Sequence, residues 1–278
     1  MIIAGLGQAG KSIAKLFKPH SKKYKILIFD SDDGLEKRDN VEDYDAQDVK
    51  INARGLKSHP DGILFVCGSG KVAGATLRVL EALSAHRMTV VYIKPDLEFA
   101  SREERMRHRV HFHVLQEYAR SGKIDEMIII DNKNIIKMAG TGAIKNYFEK
   151  VNYFIYSLFQ NLNYCLNVEQ EFGSIHKIKN ISRISTIGLA KLDDAKEKML
   201  FELDKITESC YYMNIEEEDL DNDETILKTC QQIVRENNEK GRESSFAIWT
   251  ASDPSNYIVK HYTHYIQEDE QKKNTKRT

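Results

Sequence analysis

The first 131 residues repeat one pattern, in which a short apolar run ends in glycine or an acidic residue and a helical stretch follows. Short runs with such boundaries are typical of buried strands, and their alternation with helices predicts a parallel α/β sheet. The predicted strands are Met1–Ala4, Tyr24–Phe29, Gly62–Cys67, Thr89–Ile93 and Glu126–Ile130. We therefore predict a Rossmann-like parallel sheet in the N-terminal half of the chain.

Helical stretches separate these strands. They cover Lys11–Phe17, Val72–His86 and Arg102–Arg120. The third stretch carries a stripe of large side chains at successive spacings of four, which we expect to face the sheet. The stripe consists of Met106, Val110, Val114 and Tyr118. The histidines in the same stretch have no acidic or cysteine ligand at the spacing of a metal site, so the sequence predicts no metal site.

The second half of the chain has a different pattern. A helical repeat over residues 143–168 predicts a long central helix between two halves. Beyond it, we expect strands at 181–189 and 210–215, helices at 193–205 and 223–237, and a hairpin-like pair at 245–251 and 257–266. The expected domains are 1–142 (nucleotide-binding α/β), 143–168 (central helix), 169–266 (smaller α+β) and 267–278 (a disordered charged tail).

Composition excludes several classes of protein. The chain has 41 Lys and Arg against 42 Asp and Glu, a formal charge of −1, so no global field attracts nucleic acid or anionic lipid. No apolar run approaches the length that spans a bilayer, and the N-terminus lacks the features of a signal peptide. The four cysteines are far apart, which suits a reducing compartment. We expect a cytoplasmic protein with neither membrane nor direct nucleic-acid partners.

Two phosphate-binding signatures overlap at the first strand-to-helix junction. The segment GLGQAGKS at residues 5–12 fits both GxGxxG and GxxxxGK[ST]. In either pattern, glycines let the backbone turn close to an anion and the next helix directs its N-terminal N–H groups at phosphate. Asp30 ends the second strand, where it would contact a ribose in a dinucleotide fold or a metal ion in a P-loop. A tight turn without a ligand is the third alternative.

A second glycine cluster, CGSGKVAGAT at residues 67–76, again lies between a buried strand and a helix. The cluster resembles the glycine-rich signature loop of the tubulin/FtsZ superfamily, with Gly68, Gly70 and Gly74 at the first, third and seventh places. Downstream, KPDLE at 94–98 and Arg105-Met106 are similar to the family's KPF motif and Arg-Met. The segment IDNKNIIK at 130–137 resembles its IPNDKLLK, and FEKVN at 148–152 resembles the FxxxN of its central helix.

The resemblance implies a GTP- or GDP-binding protein, with Mg²⁺ as a possible companion. Lys71 replaces a hydroxyl residue of the signature loop, Glu98 and Asn132 would contact the ribose, Arg105 would approach the nucleotide, and Phe148 and Asn152 would hold the base. With the first loop included, the expected nucleotide-binding residues are Gly5, Gly7, Gln8, Gly10, Lys11, Asp30, Gly68, Ser69, Gly70, Lys71, Gly74, Glu98, Arg105, Asn132, Phe148 and Asn152.

The chain departs from the family pattern at two places. Tyr153 stands where the family has the Asp that selects guanine, so the choice of base is left open. The family's acidic catalytic loop corresponds to residues 171–180, which are mainly basic beyond Glu171. We therefore assign no catalytic residue and expect weak or absent hydrolysis.

Three functions follow from these patterns. The first is a compact tubulin/FtsZ-like protein, of viral or plasmid type by its size, that binds GTP and associates head to tail into filaments. The second is a tubulin-like binding module without nucleotide. The third is a dinucleotide-binding or P-loop enzyme, which leaves the second glycine cluster unexplained.

Overall fold

A computed structural model describes residues 1–31, 55–140, 146–194, 196–238, 241–251 and 256–268. The described residues divide into two compact units. Unit 1 contains the residues up to Tyr156 and those from Ile266 onward, and unit 2 contains Ser157–Tyr265. Within the described ranges, no helix is both long and apolar enough to cross a membrane.

Unit 1 contains a five-stranded parallel sheet, as the sequence predicts. Its strands are β1 (Ile2–Leu6), β2 (Lys25–Phe29), β3 (Asp61–Cys67), β4 (Arg87–Lys94) and β5 (Glu126–Asp131). The strand order is β2-β1-β3-β4-β5. All five residues of β1 are buried, because the central strand of a parallel sheet is covered on both faces.

The helices of unit 1 follow the predicted order. They are α1 (Gly7–Leu16), α2 (Thr76–Ala82), α3 (Arg102–Arg120) and α4 (Asn132–Ala139), and a fifth helix, α5 (Tyr147–Asn167), contains the division between the units. The predicted start of the central helix, residues 143–145, lies outside the described residues. The Ser101 side chain accepts a hydrogen bond from the Glu104 backbone, and Glu104 accepts one from the Ser101 backbone. This capping box fixes the start of α3 at Arg102.

The predicted stripe on α3 is wrong. Met106 and Val110 are exposed, at 51% and 38%, whereas the buried face carries Arg107, His108 and His111 beside Phe112 and Leu115. Each of Arg107, His108 and His111 makes a hydrogen bond to the second glycine loop or to β4, which offsets part of the cost of burial, as described below.

Unit 2 contains a mixed sheet of strand order β7-β11-β9-β10-β6, with β8 paired to β7. Its strands are β6 (Phe172–Gly173), β7 (Ile184–Lys191), β8 (Lys198–Met199), β9 (Glu208–Glu216), β10 (Glu243–Ala251) and β11 (Asn256–Thr263), and its short helices are α6 (Glu217–Asn222) and α7 (Ile226–Glu236). Buried residues of α7, including Cys230 and Ile233, pack with Tyr211 and Met213 of β9 in one apolar core.

Two predictions for unit 2 are wrong. Strands β10 and β11 form no hairpin, because each pairs with β9, which lies between them. Eight of the nine residues of β9 are buried, so this strand takes an inner position in the sheet. The predicted helix 193–205 is replaced by a turn and by β8. Its residues pair with β7, and the Leu200 backbone donates to the Ile187 carbonyl.

The structure describes the first two residues of the predicted disordered tail, 267–278. Its first residue, Gln267, is buried in unit 1, where its backbone N–H donates to Gln116 Oε1 and its carbonyl accepts from Gln116 Nε2. Residues 269–278 of the predicted tail lie outside the described residues.

Candidate functional site

The strand order of unit 1 places a topological switch point between β1 and β3. From β1 the chain proceeds outward to β2 on one side, and then to β3, β4 and β5 on the other. In open parallel sheets, ligands bind outside the carboxyl ends of the strands at such a point. Helix α1 begins at Gly7 directly after β1, and the loop after β3 begins at Gly68, so both glycine clusters flank the switch point.

A cavity of about 590 Å³ lies between these two loops. This volume falls within the range of ligand pockets. The cavity is lined by Gly7, Gln8, Lys11, Ser12, Lys15, Asp30, Ser31, Gly70, Lys71 and Val72. Six of the sixteen residues expected to bind nucleotide therefore line one pocket: Gly7, Gln8, Lys11, Asp30, Gly70 and Lys71.

The glycines of the first loop have different roles. Gly7 is the first residue of α1, has a φ of +69° and lines the cavity, whereas Gly5 and Gly10 do not. A Cβ on Gly5 would lie 2.2 Å from the Gly10 carbonyl oxygen, and a Cβ on Gly10 would lie 2.2 Å from the Phe65 carbonyl oxygen. Gly5 and Gly10 therefore allow α1 to pack closely on β1 and β3. They position the N-terminus of α1 and do not line the cavity.

Charged side chains line the cavity beside the N-terminus of α1. Lys11 Nζ lies 3.2 Å from Asp30 Oδ2, and both side chains are largely buried, at 18% and 14% exposure. Lys15 and Lys71 add two further cations to the lining, and both are exposed. The first-turn N–H groups of a helix and cations close to them favour an anion. Asp30 opposes that anion directly, so a ligand that uses Lys11 must also satisfy this carboxylate.

Polar side chains of α3 donate hydrogen bonds to the backbone of the second glycine loop. Arg107 Nε donates to the Ser69 carbonyl oxygen over 3.2 Å, and His111 Nδ1 donates to the Gly68 carbonyl oxygen over 3.3 Å. A Cβ on Gly68 would lie 1.9 Å from the Tyr92 hydroxyl oxygen, so only glycine fits there. The loop carbonyls are thus bound to α3, away from the cavity that Gly70 and Lys71 line.

The same packing lowers the pKa of two histidines. Burial lowers the pKa of His108 to about 3, and its Nδ1 lies 2.7 Å from the Tyr92 hydroxyl oxygen. Burial also lowers the pKa of His111. Both imidazoles are therefore neutral at neutral pH. A neutral His111 keeps its proton on Nδ1, the atom that donates to Gly68.

A second group of expected residues follows β4 and β5. Lys133 Nζ lies 3.3 Å from Asp96 Oδ1 and 3.5 Å from Glu98 Oε2, and its hydrogen bond to Asp96 raises the Lys133 pKa. Arg105 donates to the carbonyl oxygens of Ala100 and Glu98. Both side chains therefore order the loop after β4. Asn132 is the first residue of α4 and is half-buried.

The two residues expected at the base lie on the first turns of α5. Phe148 is 71% exposed, Asn152 is half-buried and Tyr153 is 61% exposed. Among the described residues, the cavity lining contains none of these three, nor Glu98, Arg105 or Asn132. Gly68, Ser69 and Gly74 belong to the second loop but also lie outside the lining. The roles of these residues therefore stay predictions.

Sequence reasoning missed several residues of the site. Lys15 and Ser31 line the cavity, and Arg107 and His111 hold its second loop. Lys15 lies four residues after Lys11 on α1, a spacing that places both on one helix face and could have indicated it. No local signal marked Arg107, because a charged residue in a helix usually faces solvent.

The segment expected to replace the catalytic loop lies in unit 2. It leaves β6 and runs along β9 and β10, where Lys179 Nζ pairs with Glu243 Oε2 at 2.7 Å. This hydrogen bond raises the pKa of Lys179 and lowers that of Glu243. Lys177 is exposed. Glu171, the first residue of the segment, accepts a hydrogen bond from the Thr250 hydroxyl. Glu169, two residues before it, is exposed.

No family model and no curated protein sequence matches the chain. Several solved structures share its fold. An FtsZ dimer from M. jannaschii has a TM-score of 0.66 at 13% identity, covering 94% of this chain and 88% of that one. GDP-form protofilaments of TubZ from Bacillus thuringiensis serovar israelensis give 0.66 at 15% identity, covering 99% and 92%. A helical model of the four-stranded TubZ-Bt filament gives 0.69 at 14% identity, covering 99% and 88%.

The chain therefore has the tubulin/FtsZ fold, and the resemblance indicated by its motifs is confirmed. Its structural neighbours include proteins solved as protofilaments and filaments.

Proposed function

We propose that the protein binds GTP or GDP in the cavity between its two glycine loops and associates head to tail through the bound-nucleotide face. One observation carries the proposal. Two separate strand-to-helix loops, from β1 and β3, line a single cavity together with Lys11 and Lys71. A tight turn without a ligand needs one such loop and does not account for the cations of the second.

The lining suits a nucleotide better than a simple anion. Phosphate groups fit the first-turn N–H groups of α1 and the lysines of both loops. Asp30 sits at the end of β2, where a carboxylate accepts hydrogen bonds from ribose hydroxyls or contacts a Mg²⁺ ion. Either role offsets the repulsion between Asp30 and phosphate. The open space around Gly70, whose added Cβ would meet nothing closer than 3.5 Å, leaves room for close approach of the ligand.

Guanine is proposed from the fold rather than from the lining. TubZ, which shares the fold, has been solved as GDP-form protofilaments. The residues proposed to hold the base are Phe148 and Asn152. Self-association is proposed on the same ground, since a heterologous contact between identical subunits propagates into a filament.

A ligand panel tests the nucleotide. Thermal unfolding is measured with GTP, GDP, ATP and NAD⁺, each with Mg²⁺. Because a ligand that binds only the folded state stabilises it by about 2.7 kcal/mol at one hundred times its Kd, GTP and GDP should raise the unfolding temperature by several degrees. The variants K71M and G70V should reduce the shift strongly. The matched control is K57M, at an exposed lysine outside the cavity lining.

Two outcomes would contradict the proposal. A shift with NAD⁺ that exceeds the shift with GTP would favour a dinucleotide-binding protein. The absence of any nucleotide shift in a folded sample would favour a binding module that has the fold without the ligand.

A further inference from the structure

A cluster of metal-ligating side chains lies in unit 2, apart from the cavity. His176, Glu208 and Glu243 each place one ligand atom within 4.8 Å of the others. Glu208 begins β9 and Glu243 begins β10, and the two residues are direct partners in the parallel register of these strands. His176 lies in the segment that follows β6. The three residues are thus brought together by strand pairing and not by any local motif.

Glu208 is unusually placed for a carboxylate. Its side chain is fully buried, and its Oε1 has no hydrogen-bond partner among the described residues. Its Oε2 accepts from the Lys179 backbone N–H at 3.1 Å and lies 3.3 Å from His176 Nε2. Burying an ionised carboxylate with an unsatisfied oxygen is costly, and a bound cation is one of the few groups that offset the cost.

The hydrogen bonds of His176 direct one ring nitrogen at this carboxylate. The Ser245 hydroxyl donates to Cys210 Sγ and accepts from the His176 backbone N–H at 3.1 Å. Its single proton is then used, so His176 Nδ1, at 2.6 Å, donates to the same oxygen. His176 Nε2 and Glu208 Oε2 lie 3.3 Å apart, so a proton or a metal cation must lie between these two atoms. An Nδ1–H anchored on a hydroxyl, with Nε2 directed at a carboxylate, is an arrangement found in metal-binding histidines.

We propose that His176 Nε2 and the carboxylates of Glu208 and Glu243 bind a divalent transition-metal ion of the Zn²⁺ class. The donor set of one imidazole and two carboxylates suits such an ion. With metal–ligand bonds of roughly 2.0 to 2.2 Å, tetrahedral ligand atoms lie about 3.3 to 3.6 Å apart. The observed separation of 3.3 Å between His176 Nε2 and Glu208 Oε2 matches that spacing.

Lys179 is the competing cation. Its ammonium group pairs with Glu243 at 2.7 Å, and its side chain is 59% exposed, so it can leave when a metal ion binds. Two carboxylates face this one ammonium group, and a divalent ion would balance the charge of both. The bound ion links the segment around His176 to the first residues of β9 and β10.

The test uses the full chain, stripped with a chelator and titrated with Zn²⁺ alone in competition with a zinc indicator. The parent protein should take up one equivalent at this site. H176A and E243Q should each weaken that uptake at least tenfold, while circular dichroism shows that they remain folded. The control E202Q changes an exposed glutamate of unit 2 outside the cluster and should bind as the parent does.

A second variant distinguishes the metal site from a purely structural ion pair. K179M removes the competing ammonium and should bind Zn²⁺ more tightly than the parent. Three results would overturn the proposal: no saturable Zn²⁺ uptake by the parent, uptake that H176A and E243Q leave unchanged, or weaker uptake by K179M. Saturation by Ca²⁺ or Mg²⁺ at concentrations where Zn²⁺ does not bind would overturn the assigned metal class.

Discussion

At the scale of single residues, the two glycine clusters contain glycines with different physical functions. Gly5, Gly10 and Gly68 are required by packing, since an added Cβ would overlap a carbonyl oxygen or the Tyr92 hydroxyl. Gly7 is required by its backbone conformation, with a φ of +69°. Neither packing nor backbone conformation requires a glycine at Gly70. A motif read as one phosphate-binding unit therefore separates into residues that build the loop and residues that line the cavity.

Two glycine-to-alanine substitutions test this separation. In G10A, the new Cβ would lie 2.2 Å from the Phe65 carbonyl oxygen, and because backbone must move, we expect a loss of about 1 to 3 kcal/mol in the free energy of unfolding. In G70A, the nearest atom lies at 3.5 Å, and the smaller entropy of the unfolded chain should make the change neutral or stabilising by up to about 1 kcal/mol.

Urea unfolding of both variants measures the difference. Equal stability of G10A and the parent would contradict the close packing of α1 on β3. A large loss of stability in G70A would show that Gly70 has a structural function, and G70V would then be unsuitable as a probe of nucleotide binding.

At the scale of secondary-structure elements, the sequence predicts the strands of unit 1 well because their apolar runs are short and bounded by turn residues. It predicts the buried face of α3 wrongly. The apolar residues Met106 and Val110 recur at regular spacing, yet the helix buries Arg107, His108 and His111. A hydrophobic pattern assumes that polar residues face water, and here partners in the glycine loop and in β4 reverse that preference.

In unit 2, the pairing of strands that are distant in sequence limits what the sequence can predict. Two strands that are consecutive in sequence are most simply joined as a hairpin, but β9 lies between β10 and β11 in the sheet. The metal-ligating cluster escapes sequence analysis for this reason too. Glu208 and Glu243 meet because β9 and β10 pair in register, and His176 reaches them from the segment after β6, which pairs with β10. Of the site itself, the sequence predicts the loops and the cavity residues Lys11 and Lys71, whereas the supports on α3 emerge from the fold.

The buried face of α3 predicts a pH dependence of stability. Burial lowers the pKa of His108 to about 3 in the folded protein, whereas an unfolded histidine titrates near 6.5. Below about pH 6.5 the unfolded state therefore binds a proton that the folded state excludes. Stability is full above that pH and falls as the pH decreases toward 3, by up to about 1.4 kcal/mol per pH unit for this histidine.

Urea unfolding at several pH values between 7.5 and 5 measures this slope. H108N keeps a polar atom near the position of Nδ1 but has no imidazole to protonate. The free energy of unfolding of H108N should therefore change less steeply with pH than that of the parent, by up to about 1.4 kcal/mol per pH unit. H20N, at an exposed histidine, controls for the loss of an imidazole. A slope in H108N equal to that of the parent would mean that His108 does not titrate on unfolding.

At the scale of the whole molecule, the fold and the proposed activity have to be argued separately. The tubulin/FtsZ fold is shown at 13 to 15% identity to proteins that include protofilaments and filaments. A fold can be retained while the chemistry of its site changes. In this chain the two glycine loops lie together around a cavity, whereas the segment compared with the family's catalytic loop has no carboxylate beyond Glu171.

We therefore expect assembly without appreciable nucleotide hydrolysis. Residues 172–180 contain no Asp or Glu, and a lysine, with a pKa near 10.4, cannot accept a proton from water at neutral pH. Glu171, the nearest preceding carboxylate, accepts a hydrogen bond from Thr250. Lys177 is exposed, and in the proposed head-to-tail contact it would add a cation near the phosphates of the next subunit.

Light scattering and a phosphate assay on the same sample test both parts of this expectation. With GTP, scattering should rise above a critical protein concentration, while phosphate release stays at the level of buffer alone. K71M, whose cavity lacks one cation, should assemble poorly and serves as the nucleotide-dependent control. K177A should raise the critical concentration by removing the exposed charge. If phosphate release increases steeply with protein concentration, a neighbouring subunit supplies a catalytic group from elsewhere, and the basic segment does not occupy the catalytic position.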